Sequence, residues 1–216
     1  MKLNSRLILA LDVTEKKKAL AVAKDVSGIV DAVKVNYPIV LGCGMEIVSK
    51  LARHNDVICD FKVADVPNTN RLIVEQVVKA GASGVICQGF VGKDSLLACV
   101  DAAKGIDVFV VAEMSHPGSE KFVTPVSEDI ARLAVEIGAA GIIAPGTRPD
   151  RIAALRKIVG NKLILAPGIG AQGGQASAAL KAGADYIIVG RSIYEASEPR
   201  KAAEDLASEI KPGGPR

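Results

Sequence analysis

The sequence predicts an α/β fold, a single (β/α)8 TIM barrel, on three observations: eight short apolar runs, amphipathic segments between them, and polar residues gathered where the runs end. The runs are LILALD (7–12), AVKVNY (32–37), DVICDFK (56–62) and GVICQG (84–89), followed by DVFVVAE (107–113), GIIAPG (141–146), LILAPG (163–168) and YIIVG (186–190). Each is too short for a helix and is bounded by Gly, Pro or Asp. Their near-continuous hydrophobicity is what strands covered on both faces require.

Between the strands, helical spacing recurs. Ile73, Val77 and Val78 share one face of NTNRLIVEQVVKAG, as do Ile130, Leu133 and Ile137 of SEDIARLAVEIG. Asn68 is expected to begin the helix after the third strand and Ser127 the helix after the fifth. Gly81, Gly138 and Gly183 stand where helices should stop, and His54 is placed as a cap near the end of the second helix. EPRKAAEDLASEIK reads as the closing eighth helix, and residues 212–216 as a frayed tail. No linker or low-complexity tract divides the chain, so residues 1–216 are expected to form one domain. An open doubly wound sheet would show fewer strands or a second lobe.

The 216 residues, 49% of them hydrophobic, suffice for one substantial core. The net charge of +3 comes from 27 basic and 24 acidic residues mixed along the chain, without the basic stripe that nucleic acid binding needs. Cys43, Cys59, Cys87 and Cys99 lack C-x-x-C spacing and are accompanied by only two histidines, so no metal or redox centre is expected and the cysteines read as small buried hydrophobes. The first apolar run is too short for a signal or membrane segment and is interrupted by Asp12, which places the chain in the cytoplasm, off the membrane.

In such a barrel the C-terminal ends of the strands carry the site. There the sequence places Asp12 after strand one, Lys34 on strand two, Asp60 and Lys62 on strand three, and Asp65 in the loop beyond. Side-chain alternation sets Asp60 and Lys62 on one face and Cys59 and Phe61 on the other. An isolated D-x-K is ordinarily a structural ion pair. Here Lys34 and Asp12 add charges from neighbouring strands, and burying such a cluster is a poor route to stability.

A second constellation, APGIGAQGG (166–174) with VGRSIY (189–194), follows strands seven and eight, where barrels commonly hold a phosphate. Its glycines allow close backbone approach, a helix N-terminus supplies positive potential, and Arg191 adds a two-pronged donor. Gly168, Gly170 and Gly173 match a dinucleotide fingerprint by spacing, but the acid that should end the next strand is missing: Asp185 precedes strand eight. In EMSHPGSEKF (113–122), Ser115 can present a hydroxyl to a ligand, and His116, without an identifiable carboxylate partner, is given a loop role.

With LALD, VKVNYP, DFKVADVPNTN, EMSHPG, APGIGAQGG and VGRSIY in this order and spacing, nearly the whole chain resembles the orotidine 5'-monophosphate decarboxylase family, especially its compact archaeal members. The resemblance implies a cofactor-independent carboxy-lyase that makes uridine 5'-monophosphate, the last step of de novo pyrimidine synthesis. It implies that Lys62 donates a proton to C6, that Asp60 lies beside the departing carboxylate, and that Lys34 and Asp65 complete an alternating charge array. It further implies a homodimer in which Asp65 and Thr69 serve the neighbouring subunit's site, with Asp12 and Lys34 at the ribose. Ser115 falls at the pyrimidine edge, Pro167 against the base, and Gln172, Gly190 and Arg191 at the phosphate. Where relatives often carry a histidine near the end of strand four, this chain has Gln88, to which no role is assigned.

Two alternatives stand beside this one. Sugar-phosphate decarboxylases and aldolases of the same superfamily share D-x-K-x-x-D, but resemble one another in using magnesium with an acid on strand two, where Lys34 is a poor ligand. A barrel that only binds a phosphorylated ligand would not call for carboxylates beside an anion.

Overall fold

The computed structural model describes residues 4–170 and 172–210, which form a closed barrel of eight parallel strands in sequence order. The strands are β1 (Leu7–Ala10), β2 (Ala32–Val35), β3 (Val57–Val63), β4 (Gly84–Gln88), β5 (Asp107–Val111), β6 (Gly141–Ile143), β7 (Leu163–Pro167) and β8 (Tyr186–Val189). Around them run α1 (Lys16–Asp25), α2 (Tyr37–Cys43), α3 (Glu46–Leu51), α4 (Pro67–Lys79), α5 (Lys93–Ala102) and α6 (Ser119–Phe122). The chain continues through α7 (Ser127–Glu136), α8 (Pro149–Val159), α9 (Ala176–Lys181), α10 (Arg191–Tyr194) and α11 (Pro199–Glu209).

Alternation along each strand divides the apolar residues into two layers. Ile8, Ile58, Ile86, Phe109, Leu165 and Tyr186 point inward and fill the barrel. Leu7, Leu9, Val33, Val57, Val85 and Val108 point outward against Val22, Val74, Leu96, Ile130 and Leu155 of the helices. Each large aliphatic side chain so buried contributes about 1.5–3 kcal/mol. The strands approach closely where β6 begins: a Cβ on Gly141 would collide with the Leu163 carbonyl, so only glycine fits that register. Continued past the apolar layer, the inward positions become Asp12, Lys34, Asp60, Gln88 and Glu113, which sets the site at the C-terminal mouth.

Some local expectations are corrected. The helix after β3 begins at Pro67, with Val66 at its N-cap, and the Asn68 side chain accepts a bond from Arg71 rather than capping. α7 does begin at Ser127, but the Ser127 hydroxyl donates to the Thr124 carbonyl and accepts from Arg151. α3 ends at Leu51, and His54 closes the turn through its backbone N–H, not its ring. Gly81, Gly138 and Gly183 do take the left-handed conformation past helix ends. Cys59, Cys87 and Cys99 are buried free thiols, whereas Cys43 is only half-buried. Residues 212–216, expected as a tail, lie outside the described residues. Among the described residues, no helix is long and apolar enough to cross a membrane.

Candidate active site

A cavity of about 340 Å³ opens at the barrel mouth, and each strand, or the residues just beyond it, contributes to its lining. Lys34 lies in register with Ala10 of β1 and Ile58 of β3, one inward step below Asp12 and Asp60. Its long side chain therefore rises between two carboxylates. Lys34 Nζ lies 3.1 Å from Asp60 Oδ2 and 3.5 Å from Asp12 Oδ1, while Lys62 Nζ donates to Asp60 Oδ1 at 2.8 Å. Asp60 is thus held between two ammonium groups, one on each oxygen.

Exposure grades the array. The side chains of Lys34 and Asp60 are 7% and 10% exposed, against 39% for Lys62 and 41% for Asp12. Burial opposes the charged forms of the two inner groups, yet the neighbouring charges prevail. Lys34's pKa is raised above its ordinary 10.5 by Asp60 and Asp12, and Asp60's is lowered below 3.8 by Lys34 and Lys62.

The backbone under Lys62 is strained. Cys59 pairs with Val85 and Val63 with Cys87, so Asp60, Phe61 and Lys62 form a bulge opposite Ile86 alone. Lys62 adopts φ 43°, a left-handed conformation that costs about 1–3 kcal/mol in a non-glycine residue. The bulge keeps both Asp60 and Lys62 on the cavity, as alternation predicts, while Phe61 turns outward and stacks on Tyr37 at 5.2 Å.

Across the mouth, Ser115 Oγ donates to Gln172 Oε1 at 2.8 Å and links the loops after β5 and β7. Gly168 and Gly170 have φ of 93° and 74°, and the loop folds back through Gly170 N–H to Gly174 O at 2.9 Å and Gly174 N–H to Gly168 O at 3.1 Å. Here the glycine spacing is explained by this tight turn. Gly190 caps the short α10, whose first N–H groups have no partner within the helix, and Arg191 lies beside them. Together with Gln172 they line one corner of the cavity. Ala171, within the same motif, lies outside the described residues.

Asp12, Lys34, Asp60, Lys62, Ser115, Pro167, Gln172, Gly190 and Arg191 are therefore brought to one cavity. Asp65 and Thr69 do not line it. Asp65 is exposed on a platform in which its N–H donates to Asn70 Oδ1 at 2.9 Å and Ser95 Oγ donates to its carbonyl at 2.7 Å. Among the described residues its carboxylate accepts only from the adjacent Val66 N–H, at 2.6 Å. The exposed His116 lies in the loop after β5.

Two features escaped the sequence reading. Glu113, fully buried in the cavity wall, meets Arg148 at 3.3 Å and Arg151 at 3.0 Å and accepts from Thr124 at 3.0 Å. Arg148 also donates to the Met114 carbonyl, so the network braces the backbone next to Ser115. The partners lie 11 to 38 residues from Glu113, a separation that leaves no local pattern. Asn36 also lines the cavity and donates to Asp12 Oδ1 at 2.8 Å.

Fold and site define a (β/α)8 barrel whose mouth holds one cavity lined by lysines and carboxylates. A family model described as orotidine 5'-phosphate decarboxylase / HUMPS matches residues 5–206, and the chain belongs to that family. It is 57% identical over 213 residues to orotidine 5'-phosphate decarboxylase of Methanosarcina mazei, covering 97% of each chain. The Thermococcus kodakarensis enzyme of the same name is 48% identical, with 95% of this chain and 97% of that one covered. Among solved structures, orotidine 5'-phosphate decarboxylase from Pyrococcus horikoshii OT3 superposes with a TM-score of 0.89 at 47% identity, covering 95% and 99% of the two chains. The Methanocaldococcus jannaschii enzyme complexed with inhibitor BMP superposes at 0.91 with 40% identity, covering 95% and 98%.

The shifts of Asp60 and Lys34 fix a pH dependence. Asp60's stabilising contribution is complete above its unfolded pKa, about 4, and is lost as pH falls through the lowered folded value. Lys34's is complete below its unfolded pKa, about 10.4, and is lost as pH rises through the raised folded value. The stability difference between the wild type and a Lys34→Met/Asp60→Asn double variant should therefore be constant from about pH 5 to 9 and change outside that window. Urea unfolding across the range measures it, and a drift above about 1 kcal/mol inside the window contradicts the assignment.

Proposed function

We infer that this chain decarboxylates orotidine 5'-monophosphate to uridine 5'-monophosphate, the last step of de novo pyrimidine synthesis, in the cytoplasm and without a cofactor. The observation that carries the reading is the contiguous Asp12, Lys34, Asp60, Lys62 array in a cavity that Gln172, Gly190 and Arg191 also line.

The phosphate binds at Gln172, Gly190 and Arg191, and the base lies against Pro167 with Ser115 at its polar edge. Asp12 and Lys34 face the ribose. The substrate carboxylate then falls beside Asp60, and C6 beside Lys62. The bond from C6 to the carboxylate breaks, carbon dioxide leaves, and the electron pair remains on C6, where no adjoining carbonyl delocalises it. The Lys62 ammonium stabilises that pair electrostatically and then transfers its proton to form the new C6–H bond. Phosphate binding, remote from the breaking bond, supplies energy that holds the loops after β5 and β7 over the base.

Magnesium-dependent sugar-phosphate chemistry is the alternative within the family. Lys34 disfavours it, because its ammonium already supplies the positive charge between Asp12 and Asp60 that a bound cation would bring.

The enzyme acts as a homodimer with shared sites. Asp65 and Thr69 stand outside their own cavity, and Tyr37, Leu41, Val66, Leu72 and Phe90, exposed after β2, β3 and β4, supply the apolar surface such a dimer would bury. Asp65 of each subunit then completes the charge array of the other.

Lys62→Ala should lower turnover by about 10²–10⁴-fold or more, the scale of a lost proton donor, while product binding persists. Ultraviolet-monitored turnover with calorimetric nucleotide binding measures both, and near-normal turnover refutes the role. Mixing Lys62→Ala with Asp65→Ala protein should restore part of the activity, because one hybrid site is intact. No recovery despite demonstrated subunit exchange rules out shared sites.

A further inference from the structure

Asn36 stands at the N-cap of α2, with extended backbone angles of φ −132° and ψ −173°, yet its side chain makes no capping hydrogen bond. Asparagine is among the strongest N-cap residues because its carbonyl oxygen accepts from the first turn. Here the side chain is turned into the cavity instead, where Nδ2 donates to Asp12 Oδ1 at 2.8 Å. The assignment of the two amide atoms follows from chemistry, since an ionised carboxylate only accepts. Asn36 Oδ1 is left buried without a hydrogen-bond partner. A local structural role would satisfy the cap and leave no orphan, so the conformation serves Asp12.

The consequence for Asp12 is specific. Oδ1 receives both Asn36 at 2.8 Å and the more distant Lys34 ammonium at 3.5 Å, whereas Oδ2 has no hydrogen-bond or ion-pair partner among the described residues. The Asp12 side chain is 41% exposed, and without Asn36 only the long 3.5 Å contact with Lys34 would restrain rotation about its last bond. We propose that Asn36 is a positioning residue that anchors one oxygen of Asp12 so that the other is presented to a ribose hydroxyl, making the site selective for ribonucleotides. This inference rests on placing Asp12 at the ribose. It predicts a binding effect largely separate from the chemistry at Lys62, because the group it orients meets the sugar and not C6.

Asn36→Ser tests the idea, because serine caps a helix as well as asparagine does but is too short to hold Asp12. Calorimetry with uridine 5'-monophosphate and its 2'-deoxy and 3'-deoxy analogues reads binding whether or not the chain decarboxylates. The variant should keep the wild-type melting temperature and lose about tenfold in affinity for the ribonucleotide, the scale of one hydrogen bond to a charged group. That loss should vanish for one of the two deoxy analogues and in an Asp12→Ala background, where there is no carboxylate to orient. In turnover of orotidine 5'-monophosphate the same change should raise KM about tenfold and move kcat less than about threefold. An equal loss for all three nucleotides, a lower melting temperature that accounts for the loss, or unchanged affinity overturns the proposal. A wild-type chain that binds these nucleotides as described but does not decarboxylate overturns the functional reading and leaves the positioning role standing.

Discussion

The site depends on the ionised state of Asp60. Its carboxylate sits in the barrel mouth, where an unpaired charge would be neutralised, and it stays charged because Lys34 and Lys62 each hold one of its oxygens. Around it, charge alternates from Asp12 through Lys34 and Asp60 to Lys62. The outer lysine, more exposed than the inner one, is left at the edge of the cavity where a substrate can meet it.

Holding that arrangement places demands on the surrounding structure. The bulge in β3 and the left-handed backbone of Lys62 work against local stability, and only a closed barrel with neighbouring strands locked on both sides would hold them. Asn36 forgoes its helix cap for Asp12. On the opposite wall, Glu113 and its two arginines brace the backbone that carries Ser115, which reaches Gln172 across the mouth. Departures from local preference therefore collect at the cavity, while the two apolar layers below it follow the strand pattern closely.

What was legible in the sequence follows from the range of the interactions. All eight strands could be read because two-sided burial makes each a continuous apolar run, and Asp60 and Lys62 could be placed on one face because alternation is local. Asn68 and His54 were misjudged as caps because a residue type suggests a cap without showing which turn the tertiary packing selects. The bulge at Lys62 has no local signal, since it arises from the register of β3 against β4. Glu113 looked like one more residue of a loop motif, and its role emerges only when α8 brings Arg148, at its N-cap, and Arg151 to it. Asp65 could be named from its motif, but its outward placement needed the platform of Asn70 and Ser95.

The central claim is that fixed lysines and carboxylates alone perform the decarboxylation. The most direct measurement is ultraviolet-monitored loss of orotidine 5'-monophosphate by the purified chain in excess chelator with no added metal, beside a magnesium-containing assay of 3-keto-gulonate 6-phosphate. Rapid, chelator-resistant turnover of the nucleotide and none of the sugar phosphate is the expected result. Turnover of the sugar phosphate alone, or nucleotide turnover abolished by chelator, would contradict it.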